Sequence, residues 1–218
     1  MPTQPAATLD EEAPISRSSM ERAPGPSYEE RLALSRRLDW RFLLTDPRLL
    51  NAAVVGRCDP QLRKSLELFS PTTIYHRDAV ELSAETREFD LVIVQGGHAA
   101  LVKAAAPRVK PGGSIYIENR RRLRNPSTWF TTSAQATKQL RQLGFESIDV
   151  HWHWPKFTSA TSFLPIHDGD SAARYFFKHQ ATSLRGWCKS SVGKLAIALG
   201  FRDLMIGCFS VTGRKVSK

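Results

Sequence analysis

Phe89-Asp90-Leu91-Val92-Ile93-Val94-Gln95-Gly96-Gly97 is an apolar run closed by a glycine pair, and the residues around it decide the fold. Residues 98–110 (HAALVKAAAPRVK) carry apolar side chains at helical spacing. Pro111-Gly112-Gly113 then breaks that pattern, and residues 114–119 (SIYIEN) restore a β-rich apolar run. The spacing predicts a βαβ unit. Both strands are apolar on both faces, as a parallel sheet covered by helices requires, and the crossover is long enough to return the chain in parallel. Ligands in such a sheet bind beyond the carboxyl ends of the strands. That makes Gln95, Gly96, Gly97, His98 and the segment after Ile117 the first places to look for chemistry.

Working outward, Asp46-Pro47 is a turn into a strand near Ala52, residues 60–69 read as a helix begun by Pro60, and 72–75 as a short strand. Residues 1–27 hold five prolines and almost no large apolar side chains, so they are expected as a disordered tail. From Tyr28 a helix is predicted, with acids first and arginines later in accord with the helix dipole, capping one edge of the sheet. Downstream, Asn125-Pro126-Ser127 signals a helix running to Leu143 and ended by Gly144.

The composition suits one domain with tails: 218 residues, 41% apolar, formal net charge +10. Cys58, Cys188 and Cys208 have neither metal-ligand spacing nor the even number of a disulfide framework, which suggests a reducing compartment. There is no apolar run of membrane-spanning length, and the N-terminus is polar and acidic where a signal peptide is basic and then apolar. The expected location is the cytoplasm. Walker, G-x-S-x-G, paired-cysteine, zinc-finger and RNA-recognition signatures are absent from the sequence, so the positive charge permits nucleic acid without establishing it.

Two segments carry candidate chemistry outside the βαβ unit. Glu118-Asn119-Arg120-Arg121-Arg122-Leu123-Arg124 places arginines at the ligand-facing edge, either as an anion site built from guanidinium forks or as a solvated loop. In His151-Trp152-His153-Trp154, strand alternation puts the histidines on one face and the tryptophans on the other. With no third ligand nearby, a metal site is not supported, and the tryptophans read as core or pocket wall. His153 is an acid/base candidate if this strand ends on the cleft.

Residues 158–205 read as a helical insertion, with helices at 168–180 and 190–205. Arg174, Lys178, Arg185, Lys189 and Lys194 alternate there with Tyr175, Phe176, Phe177, Leu184 and Trp187. This amphipathic, basic lobe suits a substrate lid or a surface meeting an anionic membrane, nucleic acid or a phosphorylated substrate. It equally suits a solvated cationic face. The expected division is a tail over 1–27, one domain over 28–214 containing the 158–205 lobe, and a short tail over 215–218.

Asp90 at the start of a strand, Lys110-Pro111-Gly112-Gly113 before the next, Gly144-Phe145-Glu146 before a third, and the terminal Phe209-Ser210-Val211-Thr212-Gly213-Arg214 resemble the second half of a class I S-adenosylmethionine-dependent methyltransferase. The resemblance covers residues 49–214. It implies a Rossmann-like α/β fold, mostly parallel, ending in an antiparallel hairpin of residues 147–153 with 208–213. In the turn after the first strand only Gly56 matches the family's glycines, and Cys58 and Pro60 stand where others are expected. The span 57–88 is too short for every strand and helix of the family, so one βα step is expected to be lacking. The resemblance implies S-adenosylmethionine as cofactor, contacted by Gly56, Asp59 and Asp78 with Gln95 and Gly96 flanking it. Arg120, Arg121 and Arg122 would bind an anionic small-molecule or lipid-linked acceptor, and His98 or His153 would take its proton. The alternative is a non-catalytic scaffold of the same fold, binding a partner protein or RNA through its basic lobe.

Overall fold

The computed structural model describes residues 25–70, 72–120, 132–154, 156–166, 191 and 208–217. Helix α1 (Tyr28–Arg36) opens with a capping box in which Ser27 and Glu30 bond each other's backbone. Strand β1 (Ala52–Gly56) leads through a three-residue turn into α2 (Pro60–Phe69), where Asp59 caps the helix and Pro60 fills the first position, which needs no N–H. Strand β2 (Ile74–His76) is followed by the short α3 (Ala79–Ala84), capped by Asp78. The βαβ unit is β3 (Phe89–Gln95), α4 (Ala99–Ala105) and β4 (Val109–Arg120). Then come α5 (Ser133–Gln142), β5 (Phe145–Trp154), β6 (Ser162–Pro165) and β7 (Cys208–Lys215).

The seven strands form one sheet in the order β2-β1-β3-β4-β7-β5-β6. Strands β1 to β4 pair in parallel, and β7 lies antiparallel between β4 and β5. A single strand, β2, lies beyond β1, in agreement with the short span between Gly56 and Phe89. The hairpin forms as the resemblance implies, with Asp149 opposite Thr212 and Trp152 opposite Phe209. Its ladder is interrupted between Glu146 and Asp149, where Ser147 has φ 47°.

Alternation along the strands divides the core in two. Ala53, Val55, Val92, Val94, Ile115 and Ile117 pack with Leu82 of α3, Val102 and Ala105 of α4, and Ala136 and Leu140 of α5. On the other face Ala52, Val54, Leu91, Ile93 and Tyr116 meet Leu62 and Leu66 of α2, together with Leu38 and Trp40. The chain therefore leaves β1 over one face and β3 over the other, and the strand ends part between β1 and β3.

Several expectations need correction. Helix α1 buries no residue and rests against α2; the residues that cover the sheet are Leu38 and Trp40, in and before a 3-10 turn at Asp39–Leu43. Lys110 to Gly113 do not precede β4 but bulge out of it, since Val109 pairs with Phe89 and Ser114 already with Leu91. A Cβ at Gly113 would lie 2.9 Å from the Asp90 carbonyl oxygen, which is why that bulge needs glycine. Helix α5 begins after Thr132, whose hydroxyl accepts from the Gln135 amide; the signal at 125–127 lies outside the described residues. The stretch expected as a helical lobe starts instead with a 3-10 turn (Phe157–Ser159) and edge strand β6, because Trp154 and Ser162 remain close enough to continue the sheet. Its expected helix at 168–180 and all of that at 190–205 but Ser191, like Arg121 and Arg122, lie outside the described residues.

Glycines 56 and 144 both have positive φ, at 98° and 81°, but only Gly56 is crowded: a Cβ there would lie 2.5 Å from the Gln95 carbonyl oxygen, while nothing lies within 4 Å at Gly144. Urea unfolding should separate them. Gly144→Ala is expected to cost about 1 kcal/mol from backbone strain alone, and Gly56→Ala about 3 kcal/mol or more because β1 and β3 must also move apart.

Candidate functional site

At the carboxyl ends of the strands, register places Gly56 beside Gln95, Gln95 beside Glu118, and Glu118 beside Ser210. Four strands thus contribute one row. It faces the side covered by Leu38 and Trp40, because Gln95 continues the alternation of Leu91 and Ile93, and Glu118 that of Tyr116. A row of polar side chains under a helical layer must be satisfied from within. Arg37, 2% exposed, supplies the answer: its two terminal nitrogens donate to the two Glu118 oxygens at 2.7 and 2.8 Å. Tyr116 donates its hydroxyl to the same carboxylate at 3.3 Å, and its ring stacks on Trp40 at 3.8 Å between centroids and 10° between planes.

Burial alone pushes the Glu118 carboxyl up, but the charge and hydrogen bonds of Arg37 outweigh it and hold the group below its ordinary value. Glu118 is therefore an anion at neutral pH, and Arg37 neutralises it. The pair is the floor of the site, not a free base.

Above this floor lies a cavity of about 320 Å³, lined by Arg57, Cys58, Asp59, Pro60, Gln95, Gly96, Glu118 and Arg120. It sits where the chain departs from β1 and β3 over opposite faces, the position at which open α/β sheets hold ligands. Its size is near the lower end of the range for small-molecule sites, about 300 Å³. The Asp59 carboxylate crosses its mouth. One oxygen accepts from the Gln61 and Leu62 amides at 3.0 and 3.2 Å, and the other pairs with Arg120 at 3.2 Å.

Of the residues expected in the site, Asp59, Gln95, Gly96 and Arg120 line this cavity. Gly56 adjoins it, but the space a side chain would need is taken by the neighbouring strand: its missing Cβ serves the contact with Gln95. Asp78 does not line it. Its carboxylate accepts from the Val80 and Glu81 amides as the cap of α3, which explains a carboxylate that comes late for the end of β2. His98 is half-buried at the cap position of α4 and outside the lining.

His153 is also corrected as an acid/base candidate. The ring is 1% exposed, its Nε2 lies 2.7 Å from the Ser210 hydroxyl, and Phe157 and Phe163 pack on it with centroids at 4.5 and 4.8 Å. Burial drives its pKa down to about 3, so it stays neutral and structural. Trp152 and Trp154 meet edge to face at 5.5 Å, as alternation predicts. Arg37 and Arg57 were not expected in the site, and Glu118 was expected only as part of the segment after Ile117, with no role of its own. The one signal for them was Glu118 itself, an acid two residues beyond Tyr116 in a strand otherwise apolar on both faces.

No protein-family model matches the chain, and no curated protein matches it in sequence. Among solved structures it is similar to phosphoethanolamine N-methyltransferase 2 of Haemonchus contortus in complex with S-adenosylmethionine, at 13% identity and TM-score 0.44 over 88% of this chain and 53% of that one. An S-adenosylmethionine-dependent methyltransferase of Thermotoga maritima aligns at 11% identity and TM-score 0.44 over 85% and 91%. Human N-acetylserotonin methyltransferase with S-adenosylmethionine aligns at 12% and 0.43 over 87% and 52%. The chain spans about half the length of the first and last of these. At such identities and scores the similarity carries nothing about donor, acceptor or activity.

The buried histidine makes stability depend on pH in a defined window. Unfolded, His153 takes a proton below about 6.5; folded, only below about 3, so the unfolded chain binds more protons between these values. Stability is fully present above about 6.5 and falls by up to about 1.4 kcal/mol per pH unit as the solution is acidified toward 3. Chemical denaturation at pH 7, 6, 5 and 4 should show a shallower loss for His153→Gln than for the natural chain, and equal slopes would assign the acid sensitivity elsewhere.

Proposed function

We propose that this methyltransferase-like domain holds S-adenosylmethionine in the crevice over β1, β3 and β4 and positions an anionic small-molecule or lipid-linked acceptor beside it. The observation that carries this reading is the cavity at the point where the chain departs from β1 and β3 over opposite faces, lined by residues from three strand ends. Supporting it, the Gln95 side chain is 8% exposed on the cavity floor, and its amide nitrogen makes no well-formed hydrogen bond, although the amide is near enough to Glu118 to help hold that carboxyl down. A buried donor in that condition suits a polar ligand.

In this reading Gly56, Asp59, Gln95 and Gly96 hold the cofactor, and Arg120, with Arg121 and Arg122, holds the acceptor's anionic group. S-adenosylmethionine supplies the electrophilic methyl group when bound. The protein's own contribution is alignment and the exclusion of water, because methyl transfer demands chiefly an in-line approach of the acceptor. Glu118 adds a fixed negative charge whose field Arg37 offsets. Of the two histidines considered, His98 is the one left to take an acceptor's proton, since His153 is enclosed by aromatic rings.

A second reading, a non-catalytic scaffold binding a partner protein or RNA through its basic surface, is favoured by one specific observation. Asp78 is spent on α3 and Asp59 on α2 and Arg120, so no uncommitted carboxylate lines the cavity to receive ribose hydroxyls among the described residues.

Isothermal titration of the full chain with S-adenosylhomocysteine decides between them. The enzyme reading expects a dissociation constant in the micromolar range, about −8 kcal/mol. A flat titration of well-folded protein at millimolar ligand overturns the donor site and leaves the scaffold.

A further inference from the structure

The ion pair at the mouth of the crevice is poorly made, and the reason is geometric. Arg37 grips Glu118 with both prongs of its guanidinium at 2.7 and 2.8 Å. Arg120 reaches Asp59 with one nitrogen at 3.2 Å, longer than a good charge-assisted bond of about 2.7–2.9 Å. The Asp59 carboxylate is unable to turn and meet the fork squarely, because its other oxygen is held by the amides of Gln61 and Leu62 at the start of α2. Capping the helix and pairing with the arginine compete for one carboxylate. Arg120 is meanwhile kept at the mouth by Phe157, whose ring centroid lies 5.7 Å from the guanidinium carbon.

Charge at this mouth is unbalanced. Arg57 is exposed on the same cavity and pairs with no acid among the described residues. Arg37 and Glu118 cancel beneath it. Among the described residues two guanidiniums therefore face one carboxylate, above the buried Gln95 amide.

We propose that the mouth of the crevice is a phosphate subsite formed by Arg57 and Arg120, in which the Asp59 carboxylate stands where the phosphate of a phosphomonoester ligand binds. A phosphate dianion presents three oxygens to the fork that Asp59 meets with one, and it supplies the second negative charge that Arg57 lacks. Asp59 lowers the affinity of the empty crevice, and its outer oxygen gives up Arg120 to a ligand that completes both arginines while the other oxygen stays on the α2 amides. The inference deepens the acceptor half of the proposed function, since it names the anionic group, and it rests on that reading only for the identity of the neighbouring ligand.

The test is a titration of the full chain with inorganic phosphate at constant ionic strength, followed by amide chemical shifts, with acetate in parallel. Asn caps helices as well as Asp, so Asp59→Asn removes the competing charge and keeps α2. Phosphate should bind this variant about fivefold more tightly than the natural chain, as expected from the loss of an exposed ion pair. Arg120→Gln should bind at least about tenfold more weakly, the loss of a charged hydrogen bond. Should Arg120→Gln fail to fold by its thermal midpoint, Arg120→Lys replaces it; that variant keeps the charge, loses the fork, and should still weaken phosphate. An unchanged or weakened affinity in Asp59→Asn overturns the proposal, as does indifference to either Arg120 variant or acetate binding as tightly as phosphate. S-adenosylhomocysteine binding with no phosphate response removes the subsite and leaves the donor reading. A phosphate response with a flat S-adenosylhomocysteine titration removes the donor reading and leaves the subsite.

Discussion

The buried pair between Arg37 and Glu118 is the constraint on which the rest of the site depends. Glu118 comes from the middle of the sheet and Arg37 from the segment just after α1, 81 residues apart in the chain. Leaving either charge alone in that interior costs about 3–5 kcal/mol, so the N-terminal segment is obliged to lie over β4. Trp40 then stacks on Tyr116, Leu38 fills the adjoining core, and the segment completes, beside α2, the cover of the sheet's second face. The same pair makes the floor of the crevice polar yet electrically balanced.

Above that floor the strand ends are drawn close, and this limits what the crevice is. A Cβ would lie 2.5 Å from the Gln95 carbonyl oxygen at Gly56 and 2.6 Å from the Asn119 side chain at Gly97, and the Gly96 amide donates to the Glu118 carbonyl at 2.9 Å. The glycines here serve strand-to-strand approach first. The crevice is lined by side chains and by the turn from Arg57 to Pro60, not by an open glycine cradle. Asp59 joins these roles, as cap, as partner of Arg120 and as a wall of the cavity.

Much of the architecture was legible in the sequence because it depends on local pattern. The apolar run at Phe89, the helical spacing after His98 and the glycine pair gave β3, α4 and β4 in order, and helix α2 begins and ends at the residues its proline and apolar spacing predict. Of the expected site, Asp59, Gln95, Gly96 and Arg120 converge on one cavity because the rule for parallel sheets concerns strand ends, which local pattern also locates. The reading failed where a residue had two uses. Asp78 had the right charge near the right strand, yet its position just before α3 made it a cap. His153 had the right chemistry near a strand end, yet β6 and the turn at Phe157 enclose it.

The sequence by itself determined the alternation of strands and helices, the two-faced burial of the strands, the shortened half beyond β1 and the edge of the sheet where the cavity opens. These follow from the periodicity of side chains along a backbone and need no knowledge of distant residues. Only the tertiary structure decided that Arg37 neutralises Glu118, that Gly56 answers to Gln95 and that Arg120 shares Asp59 with a helix cap. Each of these is a contact between segments far apart in the chain, whose partners are chosen by register and by the cost of burying a charge. No local pattern encodes that choice.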